Sequence, residues 1–231
     1  MKNTLKCVLA ACLLLVVSTV SAQTNEEVRS LSIFNGVEVS NSIEAELVRG
    51  DKYQVEILAS GTEVSNVVTE VEDRQLEVKM GKGNFGSTSV KVTITYAGDL
   101  DKVQSSTSAR VFVKEVLDSK SVALRAETSS YLETKVNVSE LSLEGTTNAK
   151  IFVEGTAENL NLEAYTKADI SGEKLQVKNA EVKTNTAAKS IISVSESIKG
   201  SAGTAGKVLY IGDPGLVDVK TNTGGDIARR E

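Results

Sequence analysis

A short phrase recurs along the second half of the chain at an almost constant step. It reads Ser105-Ser106-Thr107-Ser108-Ala109, then Ala126-Glu127-Thr128-Ser129-Ser130, Gly145-Thr146-Thr147-Asn148-Ala149 and four further versions. The central threonines are Thr107, Thr128, Thr147, Thr166, Thr186, Thr204 and Thr223, at intervals of 21, 19, 19, 20, 18 and 19 residues. A step of this length repeated seven times is the mark of a solenoid, in which each copy rests on the one before it.

Each copy also alternates. Apolar residues stand four and six positions before the threonine (Leu141 and Leu143, Leu160 and Leu162) and again four and six after it (Val111 and Val113, Ile151 and Val153). A period of two means strands with one buried face. The expected fold is all-β, a right-handed parallel β-helix with rungs of about 19 residues spaced about 4.8 Å apart. The threonines share the parity of the apolar positions. They are therefore expected to point inward as a hydroxyl ladder, flanked two residues away on either side by Ala, Gly, Ser or Thr. On that reading Thr166→Asp would bury a charge and destabilise the stack strongly.

The outward positions fit the same register. Lys150, Asp169 and Lys189 follow their threonines by three residues and alternate in sign, while Arg125 falls beside Glu144 and Glu163 beside Lys183. Residues 28–99 are strand-rich but less regular, and are expected to supply the first rungs and a cap. Leu76–Met80 and Val90–Tyr96, separated by a glycine loop, read as an antiparallel hairpin within that cap. No linker divides 23–231, so one domain is expected, with 28–99 as irregular rungs and 100–231 as the seven regular repeats.

Residues 1–22 read as an export signal. Lys2 and Lys6 precede the apolar run Cys7–Val17, and Val20-Ser21-Ala22 supplies a small-x-small cleavage pattern. A lipoprotein box at Leu9-Ala10-Ala11-Cys12 competes with it, but would strand Leu13–Val17 on the mature chain. Cleavage after Ala22 leaves 231 − 22 = 209 residues without cysteine, so the fold is expected to hold without disulfides. The mature charge becomes 24 basic minus 31 acidic, or −7. The product is expected in the periplasm or at the cell surface.

Composition narrows the function. The chain has no histidine, which removes the commonest general base and metal ligand. Its acidic balance excludes a broad nucleic-acid surface. An aromatic content of 4% speaks against base stacking and weakens a sugar platform.

The opening of the mature chain, Phe34-Asn35-Gly36-Val37-Glu38-Val39, Ile43-Glu44-Ala45-Glu46-Leu47 and Arg49-Gly50-Asp51, resembles the auto-transporter adhesin head GIN domain family of Bacteroidetes. The phrase Leu100, Val103, Ser106 and the closing Gly212-Asp213-Pro214 and Thr223-Gly224-Gly225 are similar too. The resemblance covers the mature chain. It implies a β-helix-like stack and an adhesive role of unknown chemistry, and it brings no catalytic residues.

Other motifs carry less. Gly81-Lys82-Gly83-Asn84-Phe85-Gly86 spells a dinucleotide fingerprint, but that needs a helix next, and 87–96 reads as strand. Gly200–Lys207 lacks P-loop spacing and reads as a rung. Arg49-Gly50-Asp51 is a bare tripeptide, and Asn137-Val138-Ser139 is an acceptor only where glycosylation machinery exists. The sharpest chemical cluster is Glu127, Glu144 and Glu163 with Arg125, Tyr165 and Lys183 on one outer face. Paired carboxylates one rung apart could serve a polysaccharide-active enzyme, yet a solvated β surface carries the same residues. No acidic loop repeats with each rung to bind calcium, and no cofactor or metal is implied. The expectation is a non-catalytic exported binding module that presents a stacked β face to a glycan or protein partner. The enzyme using Glu127/Glu144/Glu163 and a self-associating structural protein remain as alternatives.

Overall fold

The computed structural model describes residues 24–83 and 88–230. The first part carries β1 (Thr24–Ser30), β2 (Gly36–Val39), β3 (Glu44–Arg49), β4 (Gln54–Ser60), β5 (Val67–Glu72), β6 (Gln75–Met80) and β7 (Ser89–Tyr96). The regular part carries β8 (Lys102–Ser105), β9 (Arg110–Glu127), β10 (Tyr131–Thr146), β11 (Lys150–Ala164), β12 (Asp169–Thr184) and β13 (Lys189–Ala202). It closes with β14 (Lys207–Ile211), β15 (Leu216–Thr221) and β16 (Asp226–Arg229). There is no α-helix among the described residues, only one 3-10 turn at Val64–Asn66.

The long strands bend around a β-solenoid and pair in parallel with the next rung. Tyr131 lies opposite Lys150, Lys150 opposite Asp169, and Asp169 opposite Lys189, so the expected alternation of sign is in register. Inside, Leu132, Ile151 and Ile170 stack in one column, and Leu143, Leu162 and Val182 in another, all fully buried. Full burial of each such side chain contributes about 1.5–3 kcal/mol, and the repetition makes one continuous core. The largest buried rings, Phe34 and Tyr96, belong to the irregular half.

At the corner where one rung hands over to the next, the structure corrects the expected threonine ladder. Thr107, Thr128, Thr147, Thr166, Thr186, Thr204 and Thr223 are all exposed, with φ between 43° and 54°. The next residue is left-handed as well, and in most rungs the one after closes a β-turn, as when the Ala149 N–H donates to the Thr146 carbonyl. Two successive left-handed residues make a type I′ turn, which carries the threonine outward. The inward positions are the small residues on either side, such as Gly145 and Ala149 or Ala164 and Ala168.

A second correction concerns the cap. Leu76–Met80 and Val90–Tyr96 do not form a hairpin with each other. Strand β6 folds back on β5 through the left-handed pair Asp73-Arg74 and joins β2 in parallel, while β7 lies between β4 and β3. The short local turn keeps the loop-closure cost of pairing β6 with β5 low, whereas β7 pairs with β3 and β4. Antiparallel strands thus extend the N-terminal end of the stack on two faces. The expected export signal, Ala22 cleavage site and Cys12 lipidation site lie outside the described residues.

Candidate binding face

The predicted carboxylate cluster does assemble. Glu144 lies opposite Arg125 on one side and Glu163 on the other, and Glu163 opposite Lys183. Each of its carboxylates already has a partner, although two cations serve all three. The Arg125 guanidinium reaches Glu127 at 3.0 Å and Glu144 at 3.6 Å. Glu163 accepts from the Tyr165 hydroxyl at 3.1 Å and from Lys183 at 3.5 Å. Burial and then that contact with Glu163 raise the Tyr165 hydroxyl above its ordinary range. Each carboxylate faces a cation or a hydroxyl, which is the pattern of a solvated ladder. Among the described residues no three acidic side chains converge as a metal-ligand set. Arg49 of the Arg-Gly-Asp tripeptide is held to Asp99 at 3.2 Å and lies over the Tyr96 ring.

A different face carries a feature the sequence did not announce. Three of the chain's nine aromatic residues meet across three rungs. The Tyr131 ring lies 5.4 Å from Phe112 and 5.2 Å from Phe152, centroid to centroid, and is tilted against both. Arg110 lies over Tyr131 at 5.1 Å and over Phe112 at 5.5 Å, and Lys114 lies 5.6 Å from the Phe112 ring centroid. Phe152 remains 38% exposed. The arrangement follows from register: Phe112, Glu133 and Phe152 form one column, and Tyr131, in the adjacent column, reaches both phenylalanines diagonally.

Charged side chains border these rings. Lys114 pairs with Glu46 at 2.7 Å, and Glu154 sits between Lys174 at 2.9 Å and Lys135 at 3.4 Å. The Lys174 hydrogen bond holds the Glu154 carboxyl below its usual range. Glu133 accepts from the Tyr131 hydroxyl at 2.6 Å. Burial first, and this bond second, push that hydroxyl up to about 12. Together Phe112, Lys114, Glu133, Lys135, Phe152 and Lys174 border a groove of about 460 Å³. Arg110, by contrast, has no carboxylate at ion-pair distance among the described residues, so its donors stay available above the rings.

Such a face offers flat apolar area, cations and acceptors within one short groove. The family model described as "Putative auto-transporter adhesin, head GIN domain" matches residues 33–214. The chain belongs to this family. Solved structures share the fold. A "putative adhesin" of Bacteroides fragilis is 17% identical with a TM-score of 0.79, over 91% of this chain and 98% of that one. A "putative adhesin" of Parabacteroides merdae is 15% identical with a TM-score of 0.65, over 90% and 97%. A protein of Parabacteroides distasonis described as a "putative lipid binding protein" is 14% identical, also at 0.65, over 90% and 97%. At these identities the likeness is one of fold. No curated protein matches the chain. No helix among the described residues is long and apolar enough to cross a membrane, which says nothing of strands.

Proposed function

We propose that this head GIN domain is a non-catalytic exported binding module that takes a glycan on the Phe112–Tyr131–Phe152 face, in the periplasm or at the cell surface. The observation that supports it is the three-ring ladder with Arg110 above it. Sugar rings present C–H faces that stack on aromatic rings, and hydroxyls that accept from guanidinium and ammonium donors. The pairs Glu154–Lys174 and Tyr131–Glu133 add acceptors and donors without leaving a large net charge. Protein partners are less well served, because this face lacks the wide, charge-depleted apolar core of a stable interface.

Binding of the secreted form to a panel of neutral and uronic-acid oligosaccharides tests the reading, by calorimetry. Arg110→Ala and Phe152→Ala should each weaken binding at least tenfold, with the circular dichroism spectrum retained because neither side chain belongs to the buried core. Binding that survives both substitutions, or no binding to any member of the panel, would overturn the assignment to this face. Turnover of a panel member, lost in Glu144→Gln, would move the function to the Glu127/Glu144/Glu163 face instead.

A further inference from the structure

The two ends of the solenoid are finished differently. At the N-terminal end the outermost strands are β1 and β5. They carry Glu26 and Glu27 on one and Glu70 and Glu72 on the other, and Arg29 of β1 donates to the carbonyl oxygens of Val64 and Val67 at 2.9 and 2.6 Å. Like charges and occupied carbonyls blunt that end against further pairing. At the other end β15 pairs with β13 on one side only, and among the described residues nothing pairs with its second edge. Its inner residues are incompletely covered in consequence, Val219 being half-buried. Val217 is 46% exposed, although Ile198, directly beneath it in the same inward column, is at 0%. Leu216, next to it, is 47% exposed.

We propose that this edge pairs with the same edge of a second copy, tail to tail, giving a closed dimer. The β15 sequence selects the partner. Strands related by a two-fold axis run antiparallel, and residues opposite one another share a face. Parity therefore requires the axis to pass at a residue, and the longest pairing of Leu216–Thr221 puts it at Asp218 or Val219. An axis at Asp218 sets that carboxylate against itself. Only an axis at Val219 places Asp218 opposite Lys220 of the partner subunit, and does so twice. The same register sets Val219 against Val219 of the partner subunit and Val217 against Thr221 of the partner subunit, continuing the apolar interior across the seam. Asp218 and Lys220 have no ion-pair partner in the chain itself among the described residues. Because only one end is open, assembly stops at two and does not run on into fibres.

Sedimentation equilibrium of the secreted form measures this directly. The expected mass is that of two chains, reverting to one on dilution. Lys220→Asp, which sets acid against acid, should raise the dissociation constant at least tenfold without altering the circular dichroism spectrum. Adding Asp218→Lys to it should restore the dimer. The mature chain has no cysteine, so Val219→Cys should yield one oxidised dimer band, while Leu216→Cys should not. A monomer at every concentration, species larger than two, or a dimer indifferent to Lys220→Asp would overturn the proposal.

Discussion

The backbone N–H of Asn148 donates to the carbonyl oxygen of Thr166 on the next rung at 3.0 Å. The same bond joins Ser129 to Thr147 and Lys167 to Thr186, each at 2.9 Å. A threonine ladder therefore exists, but main-chain atoms make it, along an exposed corner. These bonds do not require a threonine side chain, and a β-branched residue is uncommon at the +49° φ of Thr166.

Asparagine tolerates left-handed backbone better, and Asn41 occupies the corresponding corner of the first rung at φ 60°. Thr166→Asn should raise stability by roughly 1 kcal/mol, since left-handed backbone costs a β-branched residue about that much. Thr166→Asp should be tolerated, the reverse of the outcome for a buried hydroxyl. Urea denaturation checks both, and a fall of several kcal/mol in either variant would contradict the exposed corner.

Gly155 takes φ 116°, and a Cβ built there would stand 1.9 Å from the Val136 carbonyl oxygen of the preceding rung. No shift of a flexible side chain relieves a clash with backbone. Gly155→Ala should cost at least about 2 kcal/mol. Gly215→Ala is the control, because its Cβ would meet nothing nearer than the Glu196 carbonyl at 4.0 Å and its φ is ordinary. Equal denaturation midpoints for the two variants would show that the bend at Gly155 is not fixed.

The hydroxyls that do point inward differ among themselves. Ser130 donates to the Ser105 carbonyl at 2.7 Å and accepts from the Glu127 N–H at 3.0 Å. Thr184, equally buried, has no partner for its hydroxyl. Ser130→Ala should destabilise by about 1 kcal/mol, and Thr184→Val should stabilise by a similar amount. Opposite signs in thermal denaturation are the expected result, and a loss in both would mean that Thr184 is satisfied in solution.

The step, the strands and the outward register were legible in the sequence because period-two alternation and a near-constant interval act together. The corner was not. Gly145 and Ala149 both face inward, four positions apart, whether the chain between them runs straight or turns on two left-handed residues. Parity is the same in both cases, so Thr147 reads as inward. The aromatic face was hidden for a related reason. Phe112 and Phe152 stand five residues after their threonines and Tyr131 only three, so no column of like residues appears until rungs are laid side by side.

Tyr131 sets an alkaline limit on the proposed binding face. Its hydroxyl ionises at about 12 in the fold, because burial and the bond to Glu133 disfavour the phenolate, against about 10 in an unfolded chain. As pH rises past about 10 the unfolded chain releases this proton first. The contribution of Tyr131 to stability is thus complete below about pH 10 and lost by about 12. Tyr131→Phe should flatten the decline in stability across that window and remove one late-ionising phenol from a spectrophotometric titration. Tyr165 is raised as well, so the wild-type curve contains more than one late step and the difference between the two proteins isolates Tyr131. Glycan binding should hold through about pH 10 and fail toward about pH 12, as the phenolate forms beside Glu133. Loss of binding near neutral pH would place the ligand against another group.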